Sequence, residues 1–231
     1  MSFSLSLFLF GCATTGYRVH PELEMRSKDV KTAALISPDI KGYEFTAGGV
    51  RELRDEWCSK SRDNVEEATI KCLHDKLADV KPTPVNGEVQ EELEEVYALY
   101  KAVSTSIQLH IYGPFGFPEK KKNFDYSVGS IKRILETLGA DVLIFVYGSD
   151  EISTSGRKAL QAGAVAIGLL TGVIVIPRGG ITEVSVGTVD ASGSILWYNV
   201  KRAEGGYDLR NRESAINLLT EILSDFPRFE R

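Results

Sequence analysis

Histidine, cysteine, methionine and tryptophan are scarce in this chain of 231 residues, with three, three, two and two copies. His20, His74 and His110 lie far apart, and neither an H-E-x-x-H nor a C-x-x-C motif predicts a metal site. The G-x-S-x-G nucleophile motif is missing, as are the glycine spacings of phosphate and dinucleotide loops. We therefore expect no metal, no cofactor and no enzymatic activity. A hydrolase whose residues converge from distant positions is the alternative that such motifs do not detect.

Positive charge is in deficit as well, with 27 Lys and Arg against 32 Asp and Glu and a net charge of −5. Nucleic-acid partners attract basic surfaces, so an acidic chain argues against them.

Disulfide bonds are not expected either. Cys58 and Cys72 lie in one predicted helix, which separates them by about 21 Å. A disulfide needs Cα atoms within about 7 Å. We expect two separate buried thiols.

Lysine and arginine are also missing from the first 17 residues, where an apolar run from Phe3 to Phe10 precedes Gly11 and Cys12. An apolar run followed by a small residue is typical of a secretory signal. With a cysteine next, it resembles the lipobox of bacterial lipoproteins. That resemblance implies a signal peptide over residues 1–11 and a diacylglyceryl group on Cys12. It also implies an outer-membrane location facing the periplasm, because Ala13 rather than Asp follows the cysteine. The alternative is a buried N-terminal strand with an ordinary core cysteine.

The remaining chain has the pattern of one α/β domain. Polar, turn-rich residues 12–29 are predicted to form a tether, and residues 30–231 the periplasmic domain. Residues 30–36 read as a buried strand. Helical spacing then runs from Val50 and Leu53 to prolines 82 and 84. A second helix is predicted from Asn86-Gly87 to about residue 107, with a strand-like tail at 107–112. Residues 113–125 are predicted to be a loop.

The second half contains the strongest strand signals. Ser127 is predicted to cap a short helix that ends at Gly139. Residues 142–147 (VLIFVY) are apolar on both faces, which predicts a central strand. Two strands, 181–190 and 194–201, flank a turn-forming Asp190. A last helix precedes Pro227. The predicted fold is α/β: a single domain with a mixed β-sheet, helices packed on it, and a C-terminal β-hairpin followed by a helix.

The glycine-rich apolar segment 159–176 does not read as ordinary core, because its eighteen residues carry no charge. Three interpretations stay open. It spans a bilayer as a helix, for which eighteen residues is the lower limit. Alternatively, it forms a helix to about Leu170 and a strand over 173–176, both packed in the core. The third interpretation is an apolar element that enters a membrane or a subunit interface on assembly. Its β-branched end, VIVI, favours a strand.

Candidate contact residues follow from this segment and from the aromatic loop. A partner or membrane contact is predicted for Gly163, Gly168, Leu169, Leu170, Gly172, Phe115 and Phe117. The spacing of Gly168 and Gly172 gives the close-approach face that membrane helices use for pairing.

A family resemblance rests on three runs of residues, 139–144 (GADVLI), 182–190 (TEVSVGTVD) and 192–197 (SGSILW). In this order they resemble the domain shared by curli-secretion-channel lipoproteins and the N-terminal domain of TolB, and many outer-membrane lipoproteins. In the curli channel the stretch between these strands forms membrane-inserted β-hairpins of an oligomer. The stretch 149–180 departs from that pattern, because channel strands alternate polar and apolar residues.

The resemblance implies a structural or assembly component of an outer-membrane or periplasmic complex, with a role in secretion as one option. Its expected partners are the membrane, through the lipid anchor, and envelope proteins, with a homo-oligomer among the options. A periplasmic binding module that regulates a cell-wall synthase or captures an envelope ligand is the alternative. A polar, concave site near residues 113–125 would favour that alternative.

Overall fold

The computed structural model describes residues 16–77, 79–83, 88–114 and 116–228. These residues form a mixed sheet with the strand order β1-β8-β7-β6-β2-β5, and β3 joins β6 to β4. Strands β2 and β3 run parallel to β6, whereas β7 runs antiparallel to it. The eight strands are β1 Arg18–Val19, β2 Thr32–Ile36, β3 Asp39–Phe45, β4 Arg51–Leu53, β5 Asp79–Thr83, β6 Val142–Ser153, β7 Ile181–Asp190 and β8 Ile195–Glu204.

Helices cover both faces of the sheet. Within the described residues there are seven: α1 Leu23–Arg26, α2 Asp55–Leu73, α3 Gln90–Ile107, α4 Pro118–Lys122, α5 Lys132–Leu138, α6 Ser155–Thr171 and α7 Arg212–Ile222. One core lies beneath α2 and α7, and the other beneath α3 and α5. The predicted fold is confirmed: one mixed α/β domain that ends in a strand pair and a helix.

Strand β6 is the centre of this sheet, as its sequence predicts. Residues 142–146 are completely buried, because helices cover both of the faces to which successive side chains point. The predicted turn between β7 and β8 is also confirmed. The Asp190 carboxylate accepts hydrogen bonds from the backbone N–H groups of Ser192 and Ser194, both at 3.0 Å. Gly193 completes the turn with a φ of +83°, which a residue with a side chain rarely adopts.

The predicted start and end of the first long helix are wrong. Val50 and Leu53 have helical spacing but are exposed, and residues 51–53 form β4. Helix α2 begins at Asp55 and ends at Leu73. Pro82 lies in β5, which a periodicity analysis missed because parallel pairing with β2 is a long-range contact. Proline is accepted there because β5 is at the sheet edge and proline has no N–H to donate.

Two shorter predictions also need correction. Residues 107–112 do not switch to a strand, since Gln108–Tyr112 continue α3 as a π-helical turn. Ile107 and Ile111 are both buried, four residues apart, which is helical spacing. The helix predicted from Ser127 begins at Lys132, although Gly139 ends it as expected, with a φ of +61°.

The N-terminal part of the described chain packs against the sheet. Arg18 pairs with Tyr198 in an antiparallel register, and Arg26 donates to the carboxylate of Asp190 at 2.8 Å. Residues 16–29 of the predicted tether therefore belong to the folded body. Cys58 and Cys72 both lie in α2 as unpaired thiols, half-buried rather than buried.

Candidate functional site

An apolar hairpin projects between β6 and β7, which pair antiparallel. We define it as residues 155–180: helix α6, a turn at Gly172, and a return segment over 173–180 without regular secondary structure. The Thr154 hydroxyl accepts a hydrogen bond from the backbone N–H of Arg157 at 3.2 Å, which starts the helix. Gly172 ends it with a φ of +77°, and its N–H donates to the Gly168 carbonyl at 2.8 Å.

The apolar side chains of this hairpin are uncovered. Leu169, Leu170 and Val175 are 74%, 87% and 75% exposed, and Ile167 and Val173 exceed 60%. The interpretation that segment 159–176 packs in the core, with a strand over 173–176, is therefore wrong. Strands β6 and β7 pair directly with each other along residues 142–150, so the segment between them is left outside the sheet. Among the described helices, none has the length and apolar character needed to cross a bilayer.

Glycine residues shape the hairpin in different ways. A β-carbon on Gly168 would lie 2.5 Å from the Ile174 side chain and 2.9 Å from its Cα, so only glycine allows the return segment to cross there. Gly168 is buried inside the hairpin and does not offer a contact face. A β-carbon on Gly163, by contrast, would meet nothing within 4 Å. Of the predicted contact residues in this segment, Gly163, Leu169, Leu170 and Gly172 are at the surface, and Gly168 is buried.

Two arginines fix the hairpin to the sheet. The guanidinium carbons of Arg157 and Arg178 lie 4.6 and 4.3 Å from the ring centre of the buried Phe45. Arg157 donates to the Arg178 carbonyl at 2.9 and 3.0 Å, and Arg178 donates to the Glu151 carboxylate at 2.7 Å. Sequence reasoning missed this arrangement, although the flanking positions of the two arginines were visible.

Backbone contacts close the base of the hairpin. The N–H of Gly180 donates to the Ser153 hydroxyl at 2.9 Å, and the N–H of Gly179 donates to the Glu204 carboxylate. Higher up, the Gln161 amide donates to the Pro177 carbonyl at 2.9 Å. The hairpin therefore leaves the body in a defined direction, at the end of the sheet where β6 finishes and β7 begins.

The other predicted contact residues lie elsewhere. Phe117 is exposed and packs edge-on against His110, with ring centres 4.8 Å apart. The predicted loop around it contains the short helix α4, after which Phe124 and Tyr126 enter the core. Cys12 and Phe115 lie outside the described residues.

One buried carboxylate has a perturbed pKa. Asp150 is 1% exposed, and burial raises its pKa to about 6 against the ordinary 3.8. Its carboxylate accepts hydrogen bonds from the Thr182 hydroxyl at 2.6 Å and the backbone N–H of Leu209 at 2.7 Å. These bonds join the central strand to β7 and to the loop before α7. Among the described residues, no group of three or more His, Cys, Asp or Glu side chains is placed to hold a metal ion.

A cleft of about 590 Å³, lined by both apolar and polar groups, lies along the edge of β8 beyond β1. Tyr112, Gly113 and Pro114 line one side, and residues that follow α7 line the other. Two of its basic residues are already paired, Lys201 with Glu221 at 2.8 Å and Arg202 with Glu183 at 2.7 Å. The cleft thus combines an open strand edge with neutralised charges.

Comparison with known proteins finds only distant structural similarity. No family model and no curated protein matches the sequence. Among solved structures, two dodecamers of PelC from Paraburkholderia phytofirmans are similar, one of them a variant. Their TM-scores are 0.36 and 0.35 and their identities 9% and 13%, with 84% and 87% of this chain and 87% and 90% of theirs covered. The LpoB C-terminal domain from Salmonella enterica has a TM-score of 0.28 and 9% identity, over 80% of this chain and 94% of that one. Similarities of this size carry no argument about function.

Proposed function

We propose that this protein is a non-catalytic, lipid-anchored component of the bacterial outer membrane that faces the periplasm and uses the apolar hairpin for contacts in the envelope. One observation carries the proposal: an uncharged, uncovered apolar projection on an otherwise well-packed body. Exposed apolar patches of this kind mark protein or membrane interaction sites, since leaving them in water is unfavourable.

The lipid anchor is proposed from the lipobox around Cys12. Cys12 precedes Gly16 by four residues, and from Arg18 onwards the chain is paired with β8. Acyl chains on this thiol would therefore hold the body close to the bilayer rather than at the end of a long tether. A body with a net charge of −5 depends on such chains for its membrane affinity.

The carboxylates near the hairpin support a structural role. Asp150 accepts two hydrogen bonds inside the protein. Glu151 forms ion pairs with Arg178 and, at 2.8 Å, with Arg51. Groups engaged in this way stabilise the fold and are poorly placed to transfer protons to a substrate.

Intact-mass analysis of the protein purified from envelope membranes tests the anchor. We expect a mature chain that begins at Cys12 and carries acyl mass, and partitioning into the detergent phase of a Triton X-114 extraction. The C12S variant should move to the aqueous phase. A wild-type protein with an unmodified thiol and aqueous partitioning would refute the anchor.

A pull-down from detergent-solubilised membranes tests the contact role. The L169E/L170E variant should lose envelope contacts that the wild type makes. The matched control is L99E, which changes a leucine of α3 that is 51% exposed, away from the hairpin. Equal recovery from all three proteins would contradict the proposal.

The cleft beside Gly113 and Pro114 favours a second candidate, a module that binds a cell-wall synthase or an envelope ligand. Its open β8 edge is suited to an extended segment, because strand addition uses unpaired backbone groups. Calorimetry with soluble peptidoglycan fragments and with synthase periplasmic domains tests this candidate. Binding that the L169E/L170E variant leaves unchanged would belong to the cleft rather than to the hairpin.

A further inference from the structure

The apolar hairpin and the N-terminal end of the described chain lie at the same end of the sheet. Strand β1 is antiparallel to β8, so the chain before Arg18 points in the direction in which β8 runs from Tyr198 to Glu204. Glu204 in turn contacts Gly179 at the base of the hairpin. The two features are therefore neighbours on one side of the molecule.

Chain length limits how far Cys12 can be from this side. Cys12 lies four positions before Gly16, which allows a reach of at most about 14 Å. From Tyr198 to Glu204, β8 advances by about 20 Å toward the hairpin. This reach allows acyl chains on Cys12 and the tip of the hairpin to meet the same surface.

The shape of the hairpin favours a fluid apolar medium over a single protein face. At about 100° per residue, Val165, Leu169, Leu170 and Ile167 are spread over roughly 200° of the circumference of α6. The remaining side, at Gly168, packs on the return segment. A partner protein that docks on one face would leave the others in water, whereas lipid surrounds a projection on every side. A helix that is apolar around most of its circumference is typical of burial or of a membrane environment.

Charged residues are confined to the base. The chain from Ala159 to Pro177 has none, while Arg157, Lys158 and Arg178 flank it. Arg178 is paired with Glu151, and the Lys158 side chain is exposed without such a partner among the described residues. Basic groups at the base of an apolar projection complement lipid phosphates at the level of the headgroups.

We propose that the apolar hairpin inserts its tip into the same leaflet that receives the acyl chains of Cys12, as a second membrane anchor. This inference rests on the proposed function, since it takes Cys12 as acylated. The occupant of the exposed apolar surface is a phospholipid leaflet. Two attachments at separate points hold the body in one orientation, which a single lipidated residue on a short tether does not.

Backbone hydrogen bonding sets the depth of insertion. Within the described residues, the N–H groups of residues 173–176 donate to no backbone carbonyl. Hydrocarbon does not tolerate unsatisfied backbone groups, so this segment must remain where water or headgroups reach it. The side chains of Gln161 and Thr171 are already bonded to carbonyls of the hairpin. The tip around Leu169 and Leu170 therefore enters as far as the boundary between headgroups and acyl chains.

Depth-dependent fluorescence quenching tests the insertion without the lipid anchor. The experiment uses the full chain with C12S, combined with either L170W at the tip or L99W on α3 as the matched control. Each protein is mixed with vesicles of phosphatidylethanolamine and phosphatidylglycerol whose acyl chains are brominated either near the headgroup or near the methyl end. The apolar run Phe3–Phe10 and the native tryptophans are common to both proteins, so they cancel in the comparison.

We expect the tip tryptophan to lose roughly half of its emission with bromines near the headgroup and much less with deep bromines, while L99W is unaffected. In a flotation experiment, the C12S protein should rise with the vesicles, and the C12S protein that also carries L169E/L170E should not. Equal quenching of L170W and L99W overturns the proposal. So does a vesicle-independent oligomer that L169E/L170E converts to monomer, because the hairpin is then covered by a second copy. Failure of acylation at Cys12 is detected separately, by intact mass of the wild type.

Discussion

The Cα of Ile174 would lie only 2.9 Å from a β-carbon on Gly168, so the return segment of the hairpin crosses α6 at a position that only glycine can occupy. This contact holds together two uncovered parts of the chain that otherwise have little to pack on. Because the contact lies within the hairpin, its loss should open the hairpin and leave the stability of the body unchanged.

Replacing Gly168 and Gly172 by leucine should open the hairpin without unfolding the sheet. The leucine side chain at position 168 would collide with Ile174, and the one at position 172 would require a positive φ. We expect rapid proteolysis within residues 155–180 and an unfolding free energy of the body within about 0.5 kcal/mol of wild type. The control is G163L, whose side chain meets open space, and which should resist the protease like the wild type.

Replacing Phe45 by leucine should loosen the base of the hairpin. Leucine retains much of the buried volume but removes the ring between the guanidinium groups of Arg157 and Arg178. Two cation–π contacts contribute about 0.5–1 kcal/mol each at partly exposed sites, and the packing change adds about 1 kcal/mol. Hydrogen exchange of residues 155–180 and urea unfolding measure the two effects. Unchanged exchange in the hairpin would show that the arginines are held by Glu151 and the carbonyls alone.

The protonation of Asp150 should make stability depend on pH. Its folded pKa of about 6 lies above the ordinary 3.8, so the folded state holds the proton longer than the unfolded state. The free energy of unfolding should therefore fall as pH rises from about 4 to 6, by on the order of 3 kcal/mol. In D150N this contribution should be missing, because the amide can accept from the Leu209 N–H and donate to Thr182. Urea titrations of both proteins across this range measure the difference, and parallel pH profiles would contradict the assignment.

Replacing Lys76 by methionine should destabilise the packing of α7. The Lys76 ammonium donates to the carbonyls of Leu223, Ser224 and Phe226 at 2.6, 3.0 and 3.2 Å, beyond the end of that helix. Burial lowers the pKa of Lys76, which reflects the partial loss of water around the charge. Methionine keeps the apolar stem but no donor, so we expect a loss of about 2 kcal/mol in urea unfolding. K71M, on an exposed face of α2, should cost less than about 0.5 kcal/mol.

Local patterns predicted the elements whose neighbours lie close in the sequence. The β7–β8 hairpin follows from Asp190 and Gly193, which define its turn without help from the rest of the chain. The central position of β6 follows from an apolar run that only a strand covered on both faces can bury. Both signals are strong because propensity and burial agree.

The errors arise where a distant partner decides the structure. Leu53 has helical spacing, yet it lies in β4 and pairs with Tyr43 of β3. Only the folded sheet provides that neighbour. Pro82 is typical of the end of a helix, whereas in the structure it pairs with Leu35 in a parallel ladder. The VIVI run has strong β propensity but no described strand beside it, so propensity did not become pairing.

The sequence singled out the segment that projects from the body, and its contact role stays a prediction. Sequence placed an unusual apolar element at residues 159–176, and the structure shows it uncovered. The roles of Phe45, Glu151 and Glu204 at its base were not predicted, because each approaches from a strand far away in the sequence. Gly168, predicted to lie on a contact face, packs on Ile174 of the same hairpin, a neighbour that its spacing to Gly172 does not indicate.

The closure of the hairpin base at Ser153 and Gly180 makes residues 154–179 an interchangeable module. The two ends meet through one 2.9 Å hydrogen bond above a ladder that is complete without them. A short turn grafted between these positions would leave every strand in register, since insertions at such sites act locally. The projection can therefore be lengthened, shortened or given another composition, and so suit other surroundings, without a change in the fold of the body.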